Sequence, residues 1–173
     1  MSCDLLPTES PGGRHYQGDV RDLLDEEFDL VIAHPPCTYL ANSGAHWLHR
    51  IEGRWDLMKE DAEFFRTMSQ FNSPRIAIEN PIQHGYAREA HGLGRPTQLV
   101  QPWMFGHVES KRTGLWLINL PSLVPTDNRE AEFKSLHPQE RGKVWMMGES
   151  KARQKNRSRT LPGLADAMAS QWG

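Results

Sequence analysis

Two short apolar runs, each halted by proline beside a reactive side chain, constrain this chain most. Leu30-Val31-Ile32-Ala33 leads into His34-Pro35-Pro36-Cys37, and Arg75-Ile76-Ala77-Ile78 leads into Glu79-Asn80-Pro81. A continuous apolar run bounded by turn formers is the pattern of a strand covered on both faces, as in a parallel sheet. Between the runs, Trp55, Met58, Ala62 and Phe65 recur at spacings of three and four, the stripe of an amphipathic helix over residues 55–71. Asn72-Ser73-Pro74 ends that helix. Strand, helix and strand predict a crossover between parallel neighbours. Ligands of such sheets bind outside the carboxyl ends of the strands. The pattern therefore predicts a thiol and a carboxyl group at one crevice, a pairing suited to attack on an electron-poor ring whose nitrogen needs a proton.

The rest of the chain fits one α/β domain over residues 1–173. Residues 1–15 and 82–96 read as loops, and 15–20 as a short strand. Residues 28–33 and 75–78 read as buried strands, 98–104 and 113–118 as two more. Residues 121–159 read as a loop-rich insertion, and 164–172 as a closing helix. No apolar run is long enough for a membrane span, and no basic-then-apolar leader is visible. The two cysteines, Cys3 and Cys37, form no C-x-x-C, which argues against a disulfide scaffold or cysteine zinc site and fits a reducing cytoplasm.

Net charge is −2, yet it is unevenly spread. Residues 1–30 hold eight acids against Arg14 and Arg21, and residues 141–159 hold seven bases against Glu149. The basic stretch is a candidate phosphate contact or, equally, a solvated loop.

Cys37 follows two prolines that fix the turn, so its thiol either stands at the crevice mouth or fills space as a small hydrophobe. Glu79 ends an apolar strand. A carboxyl group there either favours its neutral form and delivers a proton or pairs with a nearby base. Asp4 and Asp19 stand where acids often hold the ribose or adenine of a nucleotide, although Asp19 also suits a helix cap. His46, His49, His84 and His91 lack a third ligand at a familiar metal spacing and read as structural or solvent-facing. Trp47, Trp103, Phe105 and Trp145 could stack on bases, whereas Trp116 reads as core.

Pro35-Pro36-Cys37 resembles the proline–cysteine nucleophile motif of DNA cytosine-C5 methyltransferases, and Glu79-Asn80-Pro81 resembles the glutamate–asparagine motif that follows it there. The chain is more closely similar to a compact phage-type group of these enzymes. That likeness takes in Gly18-Asp19-Val20 and residues 33–40, 77–82, 98–107, 111–121 and 157–173. The resemblance implies a Rossmann-like methyltransferase sheet, DNA and S-adenosylmethionine as partner and cofactor, and a cytoplasmic setting in a phage-infected or bacterial cell. It implies that Cys37 adds to cytosine C6 and that Glu79 protonates N3. Lys111 and Arg112 would lie near the target base, with Arg112 in the catalytic set. Asp4, Asp19 and Pro35 would meet the cofactor. Lys111, Lys151, Arg153, Arg157 and Arg159 would hold DNA around a flipped base.

The resemblance departs at two places. The chain starts at Met1-Ser2-Cys3-Asp4, just after the family's first strand and glycine turn, so the sheet is expected to lack its first strand and helix. Few residues separate the basic motif from the C-terminal motif, which leaves room for only a rudimentary sequence-recognition region. A degenerate relative that binds nucleic acid or protein without cofactor is the alternative function, and a free pyrimidine nucleotide is an alternative substrate. An adenine-N6 enzyme fits less well, because Cys37 stands where its aromatic residue would, and Tyr39 comes two residues later.

Overall fold

The structure, a computed structural model, describes residues 1–9, 12–142 and 160–173. Its centre is a four-stranded mixed sheet. The strands are β3 (Val31–Ala33), β4 (Ile76–Pro81), β5 (Gln98–Val100) and β6 (Thr113–Ile118), in the order β3-β4-β6-β5. β3 runs parallel to β4, while β6 runs antiparallel to both β4 and β5. Consequently β3, β4 and β5 all finish at one rim, and β6 begins there. β1 (Ser2–Asp4) and β2 (His15–Gln17) form a separate parallel pair. The chain is thus mixed α/β.

Alternation along β4 decides the layers, because successive strand side chains point to opposite faces. Ile76 and Ile78 face α1 (Arg54–Thr67), where Met58, Ala62 and Phe65 join Leu40, Leu48, Met68, Ala87 and Trp116 in one buried cluster. Ala77 faces the other way, with Leu115 and Val100, onto Leu164, Ala167, Met168 and Trp172. These last four belong to the closing helix, Pro162–Trp172. Helices therefore cover both faces of the sheet. The expected core role of Trp116 holds, since the residue is 4% exposed.

Several local expectations need correction. Residues 1–15 are not all loop, because Ser2–Asp4 pairs with His15–Gln17. The strand expected over 28–33 shrinks to β3, and Ile32 is 36% exposed. β3 lies at an edge of its sheet, and the face that Ile32 presents is left partly open while Ala33 on the other face is buried. Residues 82–96 hold α2 (Gly85–His91), capped by the His84 side chain and closed by Gly92 in the left-handed region. The stretch expected to be loop-rich after residue 121 carries two short helices, α3 (Glu130–Ser135) and α4 (Pro138–Arg141). The closing helix follows them as α5.

α5 sits so close to the loop after β5 that its second residue must be glycine. A Cβ on Gly163 would collide with the Phe105 carbonyl, and the Gly163 N–H donates to His107 Nε2 at 3.1 Å. Since backbone cannot swing aside as a long side chain can, Gly163→Ala should displace α5. The expected loss is about 1–3 kcal/mol of unfolding free energy, read as a lowered urea midpoint.

Candidate active site

The sheet rim gathers the side chains that matter. β3 and β4 pair in register as Val31 with Ile76 and Ala33 with Ile78, and β4 then runs on to Pro81 beside β6. Cys37 follows the end of β3 by four residues, and Glu79 is the first residue of β4 beyond its pairing with β3. The loop that carries the thiol and the strand that carries the carboxyl group are thus neighbours at one rim of the sheet. Neither is sealed in the core, both being half-buried.

A buried chain of polar groups fixes the loop that bears Cys37. Asn80 points to the α1 face, and its Nδ2 donates to the Pro35 carbonyl at 2.9 Å. Gln83 Nε2 donates to Asn80 Oδ1 at 3.2 Å. His91 Nδ1 accepts from the Leu93 N–H, which leaves the ring proton on Nε2 to donate to Gln83 Oε1 at 2.8 Å. Asn80, Gln83 and His91 are 1%, 2% and 0% exposed. Such a network, satisfied at each link, makes its geometry costly to change. Burial holds the His91 ring neutral, pushing its pKa down to about 4, and the nearby Arg88 charge acts in the same direction.

His84 adds a second latch. Its Nδ1 caps α2 by accepting from the Ala87 N–H, and its Nε2 donates to the Tyr39 carbonyl at 2.9 Å. The Leu40 and Ala41 N–H groups both donate to the Cys37 carbonyl, closing the turn. The histidines read as structural therefore do structural work at two of the four positions, and both hold the cysteine loop.

Glu79 projects to the opposite face, toward α5. His34 Nδ1 donates to Glu79 Oε2 at 3.0 Å, with the two side chains 39% and 13% exposed. The nearby base that the sequence allowed for is thus a histidine on the adjoining strand end. One carboxylate oxygen is committed to His34, which sets the orientation of the other. Glu79 also lines a narrow crevice, with room for about one water molecule, together with Gln101, Lys111, Thr113 and Leu164. Arg112, the next residue, is exposed. Lys111 shares that wall with Glu79, so the rim joins these two candidates directly.

The acids expected at a cofactor belong to the small sheet. Asp4 ends β1 and Asp19 follows β2. The Gly18 N–H donates to the Asp4 carbonyl at 3.1 Å, which draws the two strand ends together. Asp19 caps a turn of 3-10 helix (Val20–Leu23), and its carboxylate is gripped by the Arg21 guanidinium, which holds its pKa down at about 2. The cap reading is what the geometry has. Asp4 is exposed, and its Oδ1 accepts from the Leu6 N–H. Pro35 is buried, its carbonyl taken by Asn80. Lys151, Arg153, Arg157 and Arg159, and with them Trp145, lie outside the described residues.

Of the aromatic candidates, Phe105 is buried core, Trp47 is exposed, and Trp103 stacks on Phe133 with ring centroids 6.5 Å apart. Among the described residues no group of three or more histidine, cysteine or acidic side chains could hold a metal ion, and no helix is long and apolar enough to cross a membrane.

His34, Gln83 and Gln101 went unnoticed in the sequence as site residues. His34 looked like part of a strand stop, and glutamines carry no periodic or motif signal. No known protein-family model matches this chain, and no curated protein matches it.

Proposed function

We propose that the protein is a DNA cytosine-C5 methyltransferase with a Rossmann-like sheet, working through a covalent adduct on Cys37. The observation that carries this reading is the parallel pairing of β3 with β4, which brings the loop bearing Cys37 beside the strand bearing Glu79, the two tied by the His34–Glu79 and Asn80–Pro35 hydrogen bonds. In this reaction the Cys37 thiolate adds to C6 of cytosine while Glu79 delivers a proton to N3. The addition turns C5 into a nucleophile. S-adenosylmethionine supplies the methyl group. Solvent water then takes the C5 proton, the C6–S bond breaks to release the Cys37 thiolate, and N3 returns its proton to Glu79, which restores the aromatic ring.

Each residue's part follows from its surroundings. The latched turn holds Cys37 in one orientation, so little ordering remains at the moment of attack. His34 on Oε2 leaves Glu79 Oε1 for the ring nitrogen. Lys111 and Arg112 put positive charge beside the base and its phosphates. For the cofactor, Asp4 fits a ribose, being a carboxylate at the carboxyl end of a parallel strand. Asp19 fits less well, because Arg21 already occupies its carboxylate.

The test uses duplex DNA of random sequence carrying 5-fluorocytosine, incubated with S-adenosylmethionine. The fluorine cannot leave as a proton does, so the adduct accumulates and is read as a gel-shifted covalent complex. Trapping is expected for the wild type and not for Cys37→Ala. Absence of a complex with the wild type removes the reading. The pairing of Asp19 with Arg21 favours a second reading, a relative that binds DNA or protein without cofactor. Calorimetric titration showing DNA binding and no S-adenosylmethionine binding would select it.

A further inference from the structure

A strip of rings beyond the cysteine turn has no part in the chemistry above. It starts on the 3-10 helix Asn42–His49 and continues onto α1 and α2. Trp47 lies against His46, with ring centroids 4.5 Å apart. His46 and His49 are three residues apart and so fall one above the other on a 3-10 helix. His49 meets Trp55 at 5.3 Å and Tyr86 at 6.0 Å, and Trp55 meets Tyr86 at 5.0 Å. Trp47 and Tyr86 are 42% and 47% exposed, and both histidines are exposed as well. The ring neighbours of Tyr86 stand at 61° to 74° to it, so none of them stacks flat on it. The strip is tied to the turn that bears Cys37. The Asn42 N–H donates to the Ile82 carbonyl at 2.8 Å, His84 Nε2 donates to the Tyr39 carbonyl, and the Arg54 guanidinium lies over the Tyr39 ring at 4.9 Å.

We propose that this strip binds single-stranded DNA, whose unpaired bases stack on Trp47, His49 and Tyr86. Contiguous exposed ring surface marks a contact site. An unpaired base offers a flat π face to such rings, whatever its identity. In a duplex those faces already cover one another, so a double strand has nothing for the rings to stack on. Guanidiniums stand among the rings: Arg50 lies over Trp47 at 5.9 Å and Arg54 over Tyr39, and neither enters an ion pair among the described residues. A strand of alternating phosphates and bases matches cations interleaved with rings. Arg50, Arg54 and Arg88 are equalled in number by Glu52, Asp56 and Glu89 on the same segments, so ring contact and not net charge supplies the affinity. The surface stands apart from the methyltransferase reading, because it needs neither cytosine nor cofactor.

Fluorescence anisotropy tests it with a labelled thymidine oligonucleotide, which holds no target cytosine, beside a base-free strand and a duplex of the same length. Wild type should bind the thymidine strand more tightly than either of the others. Trp47→Ala and Tyr86→Ala should each weaken that binding roughly 5- to 150-fold, with the base-free strand and the duplex unaffected. Trp47→Phe, which keeps a ring, should stay within a few fold of wild type. Thermal melting checks the fold of each variant. Equal binding of the thymidine and base-free strands, or an affinity unmoved in both alanine variants, overturns the proposal. So does self-association of the wild type that Trp47→Ala abolishes, without binding of the thymidine strand, since the strip then belongs to a second copy of this chain. Failure to trap 5-fluorocytosine DNA removes the methyltransferase reading and leaves this surface standing.

Discussion

Glu79→Gln is expected to slow adduct formation by roughly 10²–10⁴-fold, the range that a positioned general acid contributes. The amide has nearly the same shape and can still touch the ring, but it cannot donate a proton to N3 as the nitrogen gains electron density. Because the variant alters the transition state and not the phosphate contacts, DNA affinity should stay within a few fold of wild type. The measurement is single-turnover trapping on 5-fluorocytosine DNA beside equilibrium binding of the same duplex. Equal losses in both would mean that Glu79 merely supports the local structure, for example by pairing with His34.

Acid should unlatch the cysteine loop. His91 titrates near its ordinary value of 6.5 when unfolded and at about 4 when folded. Its folded pKa lies below its unfolded one, so the unfolded chain binds the extra proton between these values. Stability from this group is complete above pH 6.5, declines as pH falls, and is exhausted below about 4. A difference of this size corresponds to about 3 kcal/mol, at about 1.4 kcal/mol per pH unit. His84, likewise driven downward by burial, adds in the same direction. Urea unfolding at stepped pH should show the decline. His91→Gln, less stable at neutral pH because the Leu93 N–H loses its acceptor, should show a shallower one. A wild-type slope no steeper than that of His91→Gln would refute the assignment of the acid loss to this ring.

How much of this was legible beforehand depends on what each element uses to stay folded. β4, α1, β6 and α5 rest on apolar side chains at regular spacing, and their periodicity stands in the sequence. α2 rests on a histidine cap and a buried polar chain, with Ala87 its apolar contribution to the core, so no periodic pattern marks it. β1 is three residues long and exposed at both ends, too short for alternation to register. The site divides the same way. Cys37 and Glu79 were legible because proline punctuates both strand ends. Gln83, which ties Asn80 to His91, was not, since a glutamine carries no periodic or motif signal.

The pairing of β4 with β6 matches Glu79 to Leu115 and Asn80 to Gly114, with Trp116 packed beside that glycine. These two neighbours on β4 serve opposite faces, Glu79 toward α5 and Asn80 tying down the turn. A slip of one position would exchange them, sending the acid into the apolar interior and the amide into solvent. The two roles of this strand are therefore inseparable: the pairing with β6 that aims Asn80 at the turn is the same pairing that aims Glu79 at the crevice.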